Sequence, residues 1–97
     1  MPAENLARVH IWVMGRVQGV GFRAFVVSSA APLGVTGWVR NLAEDCVEAL
    51  GEGTPEQLER FIRLVLTGPS VARVKENRVE YETATGEFAR FEIRSSR

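Results

Sequence analysis

One cysteine and one histidine are all that the 97 residues contain of those two types, and Lys75 is the single lysine among twelve basic side chains. With Cys46 alone there is no intrachain disulfide framework and no multi-cysteine metal site, and a lone thiol fits a reducing cytoplasm. With His10 alone, a multi-histidine zinc site is excluded and a catalytic triad is hard to build. Charge of one sign is missing too. Twelve acidic residues cancel the twelve basic ones, so there is no basic excess to displace counterions from a nucleic acid and no polybasic membrane-surface segment. No apolar run approaches the roughly 18–20 residues of a membrane span, and Met1 to Ala7 lacks a charged-then-apolar leader. Any chemistry must come from carboxylates, amides, hydroxyls, arginines or the backbone. What is present is ordinary: 45% hydrophobic and 25% charged residues, the balance of one globular domain. The expectation is a single domain over 1–97, with 1–6 a loose lead-in, working in the cytoplasm as a monomer.

Ala7 to Met14 alternates, with Val9, Ile11 and Val13 on one face and Arg8, His10, Trp12 and Met14 on the other, which predicts a strand. Three glycines then break the pattern between Gly15 and Gly21. From Phe22 an apolar stripe runs through Phe25, Val26, Ser29, Ala30 and Leu33 at helical spacing. Pro32 predicts fraying near Ala31, and Gly34 a left-handed stop. Val35 to Leu42 and Cys46 to Glu52 predict a hairpin around the turn Ala43 to Asp45. Thr54, Pro55 and Gln57 spell a capped helix start, with Leu58, Phe61, Ile62, Val65 and Leu66 as its buried stripe and Glu56–Arg60 and Glu59–Arg63 as supporting pairs. Gly68-Pro69 ends it. A weakly apolar strand over Val71 to Thr83 and a short one over Phe88 to Arg94 follow. The order βαββαβ plus a short terminal strand is the ferredoxin-like split-βαβ sandwich: α+β, two helices on one face of a mainly antiparallel sheet.

The segment Gly15-Arg16-Val17-Gln18-Gly19-Val20-Gly21-Phe22-Arg23 joins a strand end to a helix start. Glycines let successive N–H groups converge on one spot, and a helix N-terminus adds unpaired N–H groups and partial positive charge. Arg23 falls in the first helical turn, a poor place for a cation unless an anion stands before it; its planar fork suits two phosphate oxygens. A plain glycine-rich turn with a solvated arginine is the competing reading. The loop lacks the Gly-Lys-Ser/Thr of a Walker motif. Gly19-x-Gly21-x-x-Ala24 matches a dinucleotide fingerprint, but a hairpin follows where further βαβ units belong. Gly21 to Val26 faintly resembles an aromatic RNA-reading motif, yet it lies on a predicted helix.

The second segment is Gly37-Trp38-Val39-Arg40-Asn41. Alternation puts Asn41 on the helix-covered face with Val35 and Val39. In a βαβ unit the second strand runs opposite to the helix, so its last residues return beside the glycine loop. That brings Asn41 near Arg23. Taken alone, a turn-capping asparagine is the stronger reading.

Together the two segments resemble the acylphosphatase family, and with the element order the resemblance covers about residues 7–94. It implies hydrolysis of an acyl phosphate to a carboxylate and inorganic phosphate, with no cofactor, metal or nucleic acid. It implies that Arg23 binds the phosphate, that the loop Arg16, Val17, Gln18, Gly19, Val20, Gly21 and Phe22 cradles it, and that Asn41 orients the attacking water. Pro32, and Asp45 where the family often has glycine, depart from its pattern. The length argues for a free-standing enzyme over the acylphosphatase-like part of a larger carbamoyl-transfer enzyme. The competing class is a non-catalytic module for a phosphorylated ligand or RNA. His10, Trp12 and Trp38 read as the uncovered sheet face, and Cys46 as an inert small hydrophobe.

Overall fold

A computed structural model describes residues 6–97. The expected lead-in falls mostly on 1–5, outside the described residues; Leu6 takes no regular structure. The elements are β1 (Ala7–Arg16), α1 (Phe22–Leu33), β2 (Thr36–Leu42), β3 (Cys46–Gly53), α2 (Pro55–Thr67), β4 (Arg73–Glu82) and β5 (Phe91–Ile93). The sheet order is β4-β1-β3-β2-β5, antiparallel except for the parallel β2–β5 pair. This is the expected ferredoxin-like α+β sandwich, with the elements in the expected order.

Val9, Ile11 and Val13 are fully buried, as alternation requires, and meet Phe22, Val26 and Ala30 of α1 and Leu58, Phe61 and Val65 of α2. Each large side chain so buried contributes about 1.5–3 kcal/mol. At Gly37 the strands approach too closely for any side chain. A Cβ there would stand 1.9 Å from the Leu50 carbonyl oxygen, at a φ of +142°. Gly37→Ala is therefore expected to cost more than about 3 kcal/mol, read as a lowered midpoint in urea unfolding.

Several boundaries differ from those expected, for local reasons. β1 continues through Gly15 and Arg16, which pair with Val74 and Arg73 past a bulge at Lys75. α1 does not fray at Ala31: Pro32 lies inside it, where the last turn is exposed and the chain closes through Gly34 N–H to the Ala31 carbonyl (3.1 Å) and Val35 N–H to that of Ala30 (3.1 Å). The left-handed residue of the β2–β3 turn is Ala43, at φ 58°, not Asp45, so the departure at Asp45 leaves the turn undisturbed. Of the two surface pairs on α2, Glu59–Arg63 forms at 3.6 Å; among the described residues Glu56–Arg60 does not. Ion pairs this exposed gain little over hydration.

β3 departs from its sequence pattern most, for it is buried at all eight positions. Segment 84–90 covers the Glu52 end of the strand, on the sheet face away from the helices. Thr85 and Gly86 donate backbone N–H groups to the Glu52 carboxylate (2.9 and 3.0 Å), and Arg8 Nε binds it at 2.7 Å. Glu48 accepts from Arg40 (2.6 Å) and lies 2.6 Å from His10 Nε2. His10 stacks on Trp12, and Arg40 and Arg94 cover Trp38, so the aromatics there are shielded. Burial alone would raise the Glu52 pKa, but the donors from Thr85, Arg8 and Gly86 outweigh it and hold the carboxyl below the usual glutamate range. A depressed folded-state pKa stabilises above the unfolded value and loses that stabilisation as pH falls through the folded one. Acid titration below the ordinary glutamate pKa of about 4.3 is thus expected to destabilise the wild type more than Glu52→Gln, whose stability should lack this component; urea midpoints measured against pH test it.

Candidate active site

Between β1 and α1 the chain passes through Val17 to Gly21, with Gly19 at φ 72° and Gly21 at φ 76°. Both are left-handed, and a Cβ at either glycine would meet nothing within 4 Å. The loop therefore borders open space. Gly21 is the N-cap of α1, with no side chain sealing the helix; the first internal bond is Phe25 N–H to the Gly21 carbonyl at 3.0 Å. The N–H groups of the first turn have no intrahelical acceptor, and no acidic residue stands among them. α2 shows the contrast. Its N-cap Thr54 and Gln57 exchange hydrogen bonds of 3.2 and 2.8 Å, and Glu56 lies in the first turn. One helix start is closed by its own side chains; the other is left positive and open.

A hollow of about 230 Å³ sits against that open start. Val17, Gln18, Gly19, Gly21, Phe22, Arg23 and Ala24 line it from the loop and α1, Asn41 from β2 and Ile93 from β5. The two side chains singled out in the sequence, Arg23 and Asn41, thus come together, both half-buried. Asn41 is two residues beyond the fully buried Val39, on the helix-facing side. Among the described residues Arg23 has no carboxylate partner, unlike Arg8 or Arg40. Of the expected cradle residues, Arg16 and Val20 stand outside the lining: Arg16 is exposed at the end of β1, and Val20 packs against the core.

Two features of the site were not visible in the sequence. The Gln18 side chain donates from Nε2 to the carbonyls of Ala43 and Cys46, both at 2.9 Å, and so ties the loop to the turn that follows Asn41. The same turn is held from the other side: Ala43 N–H donates to the Arg97 carbonyl (2.7 Å), and Arg97 N–H to that of Asn41 (2.9 Å). The second feature is Ile93, a half-exposed hydrocarbon among the residues that line the hollow. Removing the Gln18 tether loses two hydrogen bonds worth about 1 kcal/mol each. Gln18→Ala is therefore expected to destabilise the fold by about 1–2 kcal/mol, read as a lowered midpoint in urea unfolding.

The fold is that of a known class of hydrolase. A crystal structure of acylphosphatase from Bacillus subtilis superposes with a TM-score of 0.85 at 37% identity, covering 90% of this chain and 97% of that one. The acylphosphatase family model matches residues 9–93. An acylphosphatase of Trichormus variabilis is 49% identical over 85 residues, 88% of this chain and 84% of its own. One from Aeropyrum pernix is 51% identical over 92 residues, 94% and 91% of the two chains. The chain belongs to the acylphosphatase family, and it is an enzyme that hydrolyses acyl phosphates to a carboxylate and inorganic phosphate. The reading as a non-catalytic binding module finds no support in these likenesses. No helix among the described residues is long and apolar enough to cross a membrane.

Proposed function

We propose that the hollow is the active site: the N–H groups of the loop and of the first turn of α1, with the Arg23 guanidinium, hold the phosphoryl group, and the Asn41 amide places the attacking water. The observation that carries this is the open start of α1, where donors without an intrahelical acceptor and an arginine with no carboxylate partner among the described residues face one space that also receives Asn41. Water forms the new P–O bond as the bond to the acyl oxygen breaks. The electron pair leaves with the carboxylate, and both water protons end on phosphate, so RCO–OPO₃²⁻ and H₂O give RCOO⁻ and H₂PO₄⁻. A carboxylate leaves readily without a proton. The barrier therefore lies in the charge on the phosphoryl oxygens and in positioning the water. Preorganised amides and one guanidinium answer the first need and one carboxamide the second. No metal or cofactor enters this scheme.

Titration with inorganic phosphate is expected to move the amide proton resonances of Gln18 to Phe22 and leave those of the first turn of α2 in place. Unmoved loop resonances would overturn the assignment. Turnover of benzoyl phosphate is expected to persist with a chelator present. The same proposal takes residues 1–97 as one acylphosphatase-like domain acting as a cytoplasmic monomer without a nucleic-acid partner, supported by the balanced charge and the shielded tryptophans; gel filtration of the free enzyme tests the monomer.

A further inference from the structure

We infer that Ile93 and Ala24 form an apolar shelf at the mouth of the hollow that receives the acyl group, so that the enzyme favours acyl phosphates with a hydrocarbon or aromatic acyl group over small or polar ones. The inference rests on the phosphoryl cradle proposed above.

The helix-facing row of β5 shows how Ile93 comes to lie there. Phe91 pairs with Gly37, is half-buried, and packs edge-on against Phe61 at 5.5 Å between ring centroids. Ile93 pairs with Val39 and points to the same side. Val39 is fully buried, whereas Ile93 is 49% exposed. β5 is the outer strand and ends at Ile93, so no neighbouring strand covers it. Large hydrophobic side chains that stay this exposed are few among the described residues, and Ile93 alone of them lines the hollow.

The hollow has a closed side and an open side. Val17 and Phe22 line it but are almost wholly buried, so they stand at its back. Gln18, Arg23 and Asn41 supply polar groups. Ala24, on the exposed side of the first turn, and Ile93 are the apolar groups at the solvent side. A phosphoryl group held by the amides and Arg23 must direct its acyl substituent out through that side, past these two residues. A volume of about 230 Å³ leaves room for more than the phosphoryl group alone. Hydrocarbon laid on the shelf leaves water on both faces, a gain that an acetyl group is too short to realise.

The experiment compares benzoyl phosphate with acetyl phosphate as substrates of the wild type, Ile93→Val, Ile93→Leu and Ile93→Ser. Truncating an apolar contact around a substrate costs on the order of tenfold per methylene in a closed pocket, and this shelf is open. For Ile93→Ser, kcat/KM for benzoyl phosphate is expected to fall about 5- to 10-fold further than that for acetyl phosphate, with Ile93→Val in between and Ile93→Leu near the wild type. The inhibition constant of inorganic phosphate is expected to stay within about twofold. Equal losses on both substrates, or an unchanged ratio, would overturn the shelf; equal losses are what a residue that merely secures β5 would give. Circular dichroism and thermal midpoints confirm that the variants are folded, and Ile93→Val carries the comparison should Ile93→Ser fail to fold. Absence of phosphate inhibition in the wild type overturns the cradle itself, and the shelf with it.

Discussion

Arg23→Ala is expected to lower kcat/KM for an acyl phosphate by about 100- to 1,000-fold, the loss that follows removal of one preorganised donor to a developing oxyanion, roughly 2.7–4 kcal/mol. The fold should survive. Arg23 is half-buried, has no carboxylate partner among the described residues, and belongs to the wet side of the first turn of α1, while Phe22, Val26 and Ala30 carry the helix into the core. Circular dichroism and the thermal midpoint should match the wild type, and inorganic phosphate should bind far more weakly. Lysine restores the charge but not the planar fork, so Arg23→Lys is expected to recover binding only in part. A fully active, normally folded Arg23→Ala enzyme would remove the guanidinium from the mechanism.

Asn41→Ala is expected to act on the other half of the reaction. An amide that places water contributes little to holding the phosphoryl group in the ground state. The inhibition constant of phosphate should therefore barely move while kcat falls by about 100-fold or more, the scale of a misplaced reactant. Steady-state kinetics with phosphate as competitive inhibitor separate the two. Loss of phosphate inhibition in Asn41→Ala would make the amide a binding group instead. The neighbouring turn guards against a structural explanation: backbone bonds from Arg97 and the Gln18 side chain hold the end of β2, and none of them uses the Asn41 side chain.

Much of this arrangement was legible from residue order. Strand alternation gave β1 its buried Val9, Ile11 and Val13. Thr54, Pro55 and Gln57 mark the start of α2, and the opposed directions of α1 and β2 bring Asn41 back to the loop. What escaped depends on contacts between distant segments. Glu48 and Glu52 are buried by contacts that alternation does not show: Glu48 meets His10 and Arg40, and Glu52 meets Arg8 and segment 84–90. Gln18 looked like one more loop amide because its acceptors lie 25 and 28 residues away. Ile93 could be given a strand face but no exposure, since exposure depends on β5 being outermost. Pro32 misled through a rule made for helix interiors; in a last exposed turn the missing donor costs little.

The position of β1 in the sheet also governs when the enzyme can form. β1 lies between β3 and β4, so Arg8 pairs with both Glu52 and Glu82. On a ribosome extending the chain by about 5–20 residues per second, β1 waits for β4 before its second flank is covered. Contacts that span so much of the chain slow folding towards milliseconds to seconds. Meanwhile the strand that leads into the loop beside the hollow keeps one flank unpaired until β4 has been made.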